Sequence, residues 1–194
     1  MARTQGSRAE ITGPLIREQA LRLFARHGYA AVSMRQIASA VGVQAGALYT
    51  YTPDKQALLA DLLSDHMTRL LGAWQDDPDR SPLDRLERFV RFHIAFSLDH
   101  PDSVFLSYME LRNLSPDNHA EIAALRRRYE DALACILRAG QAAGVMTVPD
   151  IRLTAMALIA MLTGVTNWYR EGGRLDRSRV ADIYWDLVKR AVGA

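Results

Sequence analysis

Apolar positions recur at three- and four-residue steps along almost the whole chain, and apolar/polar alternation is sustained nowhere, so each predicted element is a helix. Pro14 to His27 places Ile16, Ala20, Leu23 and Phe24 on one face, with Thr12 or Gly13 as the entry and Gly28 as the stop. Ser33 opens a short helix with Met34, Ile37, Ala38 and Val41 inward. Gly42 ends it, because a residue without Cβ takes positive φ at little steric cost. Gln44 to Tyr49 follows as a second short helix, with Val43, Ala47 and Leu48 inward and Gln44, Ala45, Gly46, Tyr49 and Thr50 outward. Two short helices about a glycine turn make a helix-turn-helix.

The pattern continues after Asp54 with Leu58, Leu59, Leu62, Leu63, His66 and Leu70, a long helix reaching about Trp74. Residues 76–82 are a polar break in which Ser81 caps and Pro82 starts the next helix, carrying Leu83, Leu86, Phe89, Val90, His93, Ile94 and Ser97 until His100 meets Pro101. Residues 103–112 predict a shorter helix with Val104, Phe105, Tyr108, Met109 and Leu111. Ser115-Pro116 opens another, with Ile122, Leu125, Tyr129, Ala132, Leu133, Ile136 and Leu137 inward. Ile151 to Tyr169 is apolar almost all round. It is too short, and too interrupted by Thr154, Thr163, Gly164 and Asn167, for the roughly 20 apolar residues of a bilayer span, and it reads as a helix buried on both sides. Behind Asp176, the last helix carries Val180, Ile183, Tyr184, Leu187, Val188 and Ala191. The expected fold is all-α with about nine helices: a three-helix helix-turn-helix domain at residues 1–55 and a helical domain at 56–194. Two strongly apolar helices at the end of the chain suggest a subunit interface.

Charge sharpens the division. The net charge is only +2, yet residues 1–55 carry seven Lys/Arg (Arg3, Arg8, Arg17, Arg22, Arg26, Arg35, Lys55) against three acids, so the positive excess lies wholly in that part and the remainder is at −2. A basic head on a body that avoids nucleic acid has this distribution. The opening residues, with Arg3 and Arg8, read as a mobile arm able to reach a backbone or minor groove.

The outward face of the second short helix suits double-stranded DNA. A major groove admits one helix, and its base edges are met by Gln amides and by small residues that allow close approach, as Gln44, Ala45 and Gly46 do. Tyr49, Thr50, Tyr51 and Lys55 supply hydroxyls and a charge to phosphate oxygens, contacts that fix position without reading sequence. Lys55 also lies in the first turn of its helix, where N–H groups and a cation both favour phosphate. Ser33 and Arg35, at the opening of the first short helix, complete the candidate DNA-binding set.

Taken together, Ile16, Ala20, Leu23, Phe24, Gly28-Tyr29, Ser33-Met34, Ile37-Ala38, Gly42-Val43, Gly46-Ala47-Leu48-Tyr49, Tyr51, Lys55 and Leu58 resemble the TetR family of transcriptional regulators over roughly the first third of the chain. Two positions depart from that pattern. Gln44 stands where a small hydroxyl residue is common, and Thr52 stands where an aromatic is usual, leaving a smaller plug between the reading helix and the next. The resemblance implies a homodimer joined by a four-helix bundle of the last two long helices, so that two heads meet a pseudo-palindromic operator one helical turn apart, about 34–36 Å. It also implies a repressor released by a small effector held in the body. The candidate wall is Phe89, Phe92, Phe105, Tyr108, Met109, Arg112, Tyr129, Cys135, Met161 and Trp168, mostly aromatic or soft side chains that suit an apolar ligand.

The stretch Gly164 to Leu175, followed by Ile183-Tyr184, is similar to the end of TetR-type repressors of lipid and sterol catabolism that sense acyl-CoA thioesters. That resemblance implies an aromatic role for Trp168 near the CoA and phosphate contacts for Arg170 and Arg174. A hydrophobic drug or quorum-type signal is the other effector class. The five His residues show no metal-ligand spacing, and no G-x-S-x-G, P-loop or G-x-G-x-x-G occurs, so neither catalysis nor a cofactor is expected. His93, on an apolar face, reads as a hydrogen-bonded core residue. A single Cys135 permits no disulfide within one chain and reads as a core or pocket residue. With no apolar leader in the opening residues, the expected setting is cytoplasmic, with no membrane partner. A helical dimeric interaction module without sequence-specific DNA binding is the alternative.

Overall fold

The structure, a computed structural model, describes the backbone of residues 4–194 and the side chains from residue 11 onward. These residues form α1 (Thr4–His27), α2 (Met34–Val41), α3 (Ala45–Leu48), α4 (Lys55–Ala73), α5 (Pro82–Asp99), α6 (Pro101–Met109), α7 (Pro116–Ala142), α8 (Ile151–Thr163), α9 (Val165–Trp168) and α10 (Arg177–Ala191), with a 3-10 turn at Leu111–Asn113 and no strand among them. They divide into two compact units. The first runs up to Met67 and takes in Asp102–Ala123, and the second comprises Thr68–Pro101 and Ala124–Ala194.

In the first unit, Ile16, Ala20 and Phe24 of α1 are buried with Val32, Ile37, Ala38 and Leu48, and with Leu58, Leu59, Leu62 and Leu63 of α4. Each large aliphatic or aromatic side chain so buried contributes about 1.5–3 kcal/mol, which is what holds helices as short as α2 and α3 in place. The first helix begins ten residues before the expected start. It runs through Pro14, which lacks an N–H and so forgoes one bond, to the Glu10 carbonyl, while the turns on either side continue. The expected contacts of Arg3 and Arg8 lie outside the described side chains.

The α6 segment departs from its predicted face. Ser103, Val104, Leu106, Ser107 and Glu110 are buried, while Phe105, Tyr108 and Met109 are exposed. Pro101 is its first residue, so the proline that ends α5 also starts α6. Small and polar side chains allow the helix backbone to approach its neighbours closely, and the bulky ones turn outward.

In the second unit, α5 packs against α8, α9 and α10. Ser81 caps α5, accepting from the Asp84 N–H, and Leu86, Phe89, Val90, His93, Ile94 and Ser97 face the core as the spacing predicts. The buried line of α10 is Val180, Ala181, Trp185 and Val188, whereas Leu187 is 46% exposed and Ile183 and Tyr184 are half-buried. The expected stripe therefore splits into an inward and an outward apolar line.

Ile151–Trp168 is the one described segment long and apolar enough by composition to cross a membrane. Here it is two helices meeting at Gly164, with Ala155, Leu158, Ile159, Leu162 and Val165 buried and Leu153 and Met156 exposed. Within one chain it is covered on one side only, not on both. Cys135 is likewise exposed, because its neighbours Ala134 and Ile136 occupy the inward positions of α7.

Candidate nucleic-acid interface

Local sequence starts and stops the two short helices of the head. Ser33 accepts from the Gln36 N–H at 3.3 Å while the Gln36 side chain accepts from the Ser33 N–H at 2.7 Å, a reciprocal capping box that starts α2. Gly42, at φ 77°, ends α2 by donating to the Ala38 and Ser39 carbonyls. Gln44 then stands at the N-cap of α3 with no side-chain cap bond, so its amide is not engaged in starting the helix. Leu48 is fully buried beneath it, and Tyr49 is 53% exposed.

The structure brings Gln44, Gly46, Tyr49, Thr50 and Tyr51 onto the exposed part of this one turn and its exit, with Ala45 half-buried. Ala47, expected inward, is exposed instead, because one turn of helix has room for a single inward residue and Leu48 takes it. Two of the hydroxyls are engaged: Thr50 donates to the Ala47 carbonyl at 2.7 Å, and Ser33 donates to Gln36 Oε1 at 2.9 Å. Arg35 is exposed. Lys55 is half-buried, its ammonium 4.1 Å from the centre of the Tyr29 ring, and burial pulls its pKa below the usual lysine range while the nearby Glu110 carboxylate acts in the opposite direction.

Below this surface Thr52 is buried, its hydroxyl donating to the Asp54 carbonyl at 3.1 Å. A cleft of about 270 Å³, lined by Thr52 with Gly13, Pro14, Ile16, Arg17, Tyr51, Leu58 and Asp61, opens beside it. Arg17 and Asp61 pair at 3.3 Å, both about half exposed.

The body residues of the expected ligand wall separate into groups. Phe89 and Tyr129 are core, 5.2 Å apart, and Trp74 sits edge-on to Phe89 at 5.0 Å and tilted on Phe92 at 5.3 Å. The Trp74 Nε1 is buried without a hydrogen-bond partner. Phe105, Tyr108, Met109 and Arg112 belong to the first unit and are exposed. Met161 is half-buried. Trp168 is 46% exposed and stacks on Tyr184 at 6.3 Å, donating from Nε1 to its hydroxyl. Cys135 lies at the Arg85 guanidinium. His93 is a core residue, bonded to Tyr129 at 3.0 Å and Thr163 at 2.9 Å. Among the described residues no three His, Cys, Asp or Glu side chains converge as a metal site requires.

Comparison with known proteins identifies the class of this head. Residues 16–62 match the model described as bacterial regulatory proteins, tetR family, and residues 79–192 match the tetracyclin repressor-like C-terminal domain. The chain belongs to the TetR family. TetR proteins are DNA-binding transcriptional regulators. The chain is 27% identical over 193 residues to the HTH-type transcriptional repressor KstR2 of Mycobacterium tuberculosis, covering 97% of this chain and 96% of that one. Among solved structures, a tetR-family regulatory protein from Rhodococcus RHA1 superposes with a TM-score of 0.88 at 31% identity, over 93% and 96% of the two chains. AibR, solved in complex with isovaleryl coenzyme A and operator DNA, superposes with a TM-score of 0.83 at 25% identity, over 91% and 97%.

Within this TetR head the residues that local spacing missed are those supplied from far along the chain. Glu110 is 5% exposed and accepts from the Tyr29 N–H at 3.1 Å. Gln56 donates to the Tyr29 hydroxyl at 3.2 Å and to the Asn113 carbonyl, and accepts from the Ser115 N–H at 3.0 Å. Glu110 is the one acid in the predicted helix of residues 103–112 and stands just past the end of α6, and that lone acid is the signal the sequence offered.

Proposed function

We propose that this protein is a ligand-responsive repressor that binds a pseudo-palindromic operator as a homodimer and is released by an apolar or acyl-CoA-type effector. DNA reading falls to the residues up to about Lys55, and effector binding and dimerisation fall to residues 56–194. The observation that carries the reading is the α3 turn, in which Leu48 is anchored in the core while Gln44, Gly46 and Tyr49 stand unburied on the same short helix. A rigid helix face presenting an amide, a glycine and a phenol is built for a groove, not for a neighbouring helix.

Dimerisation is supported by Leu187 of α10 and by Leu153 and Met156 of α8, which a single chain leaves exposed, with Ile183 and Tyr184 half-buried beside Leu187 on α10. An acyl-CoA effector is supported by three features: the exposed Trp168 ring, the two exposed cations Arg170 and Arg174 on the loop after it, and the AibR complex with isovaleryl coenzyme A. The unpartnered Trp74 Nε1 beside Phe89 and Phe92 is a donor available to a ligand carbonyl.

Selection from a random DNA pool at two salt concentrations tests the reading. Enrichment of a palindrome whose affinity falls with salt is the expected result, and isovaleryl coenzyme A added to that complex is expected to release it where free coenzyme A does not. Recovery of a stable dimer with no enriched sequence would favour the helical interaction module.

A further inference from the structure

A polar network in the first unit joins residues that are remote in sequence. Glu110 and Tyr29 are 81 positions apart, Gln56 and Asn113 are 57, and Gln56 and Ser115 are 59. Glu110 has one carboxylate oxygen on the Tyr29 N–H and the other on the Asn113 side-chain amide. Tyr29 lies just before α2, and its backbone turns there at Gly28 with φ 81°, where a Cβ would stand 3.7 Å from the same Glu110 oxygen. Gln56 lies in the first turn of α4, next to Lys55, whose ammonium covers the Tyr29 ring.

Thus the connection leading into α2 and the helix leading away from α3 are tied to each other partly through residues 110–115. A buried carboxylate carrying two hydrogen bonds is costly to displace, since moving it strands both donors and the charge. The placement of α2 and α3 is therefore over-determined at this point, as a reading surface requires.

We infer that Glu110, assisted by Gln56, is a positioning residue for operator reading: although it lies outside the helix-turn-helix, it sets the spacing between the α1–α2 connection and the start of α4, and so the aim of α3. This rests on the reading of the chain as an operator-binding regulator. Losing the clamp misaims α3 without removing any phosphate donor, so it lowers sequence-specific binding and leaves non-specific binding in place.

The test uses the full chain and the operator selected for the wild-type protein. Glu110→Ala is expected to weaken operator binding by about tenfold, a typical inter-site coupling, with affinity for random duplex DNA unchanged. Glu110→Gln, which keeps an acceptor for the Tyr29 N–H, is expected to restore most of the loss. Gln56→Ala is expected to act in the same direction, and combined with Glu110→Ala to add little beyond either alone. Should Glu110→Ala fail to fold by circular dichroism, Gln56→Ala carries the comparison. Unchanged operator affinity in both variants, or an equal fall for operator and random DNA, would overturn the inference while leaving the repressor reading intact. A wild-type protein that selects no site would remove both.

Discussion

The Arg85 guanidinium grips Asp76 with a fork, Nε at 3.0 Å from Oδ1 and a terminal nitrogen at 2.7 Å from Oδ2. Arg85 is 7% exposed, a charged residue buried beside Leu86 on the inward side of α5. The polar break after α4 is thus not a passive linker: Asp76 neutralises a buried cation, and Asp77 pairs with Arg80 at 2.8 Å and Arg88 at 3.3 Å. Asp76→Ala strands Arg85 and is expected to cost about 2–4 kcal/mol, read from urea denaturation at neutral pH.

The same pair gives a pH dependence. The hydrogen bonds from Arg85 hold the Asp76 carboxyl below its ordinary value of 3.8. A depressed folded-state pKa contributes stability that is present above the unfolded value and lost as pH falls through the folded one. Melting temperature is therefore expected to drop more steeply below about pH 4 in the wild type than in Asp76→Asn, which has already lost the charge.

His93 sits in a directed chain of hydrogen bonds. The Thr163 hydroxyl donates to the Ile159 carbonyl at 2.8 Å, so it accepts from His93 Nε2–H, and Nδ1 accepts from the Tyr129 hydroxyl. Tyr129→Phe removes that donor inside the core and is expected to destabilise the protein by about 1–3 kcal/mol. Nitrogen chemical shifts of the imidazole are expected to report the Nε2-protonated tautomer in the wild type.

On the DNA face, Tyr49→Phe is expected to weaken binding to every sequence by about 1 kcal/mol, and Lys55→Ala to do so with a shallower salt slope. Gln44→Ala is expected to change base preference by about 1–3 kcal/mol at one position of each half-site. Repeating the pool selection with each variant separates the two behaviours. A Gln44 variant with wild-type preference and affinity would mean that α3 is not the reading helix.

The cleft beside Thr52 has room for a larger side chain among Ile16, Leu58 and the Tyr51 ring. Thr52→Phe gives up the bond to the Asp54 carbonyl but fills apolar space. The net gain is expected to be about 1 kcal/mol, a rise in melting temperature of about 2–4 °C by calorimetry.

Most helices, several of their caps and the family were legible from local spacing, although α1 starts ten residues before its predicted entry and the apolar run from Ile151 divides at Gly164. Ser33, Gly42, Ser81 and Asp176 act within three or four residues of themselves, so their spacing is the mechanism: Ser33 closes its capping box on Gln36, and Asp176 accepts from the Arg179 N–H at 2.7 Å. Leu48, Phe89 and His93 were legible as inward for the same reason, since a helical face is a local property.

Tertiary structure decided the rest, because it rests on which of two available faces meets a neighbour. Helix α6 turned Ser103 and Ser107 inward and Phe105 and Tyr108 outward, and α10 turned Trp185 inward and Leu187 outward. Periodicity fixes that a face exists, but not which face packs when both sides carry apolar groups. Glu110 and Gln56 could not be placed from spacing at all. Three of their bonds span 57 to 81 residues, and only the packed chain brings those atoms within hydrogen-bonding distance.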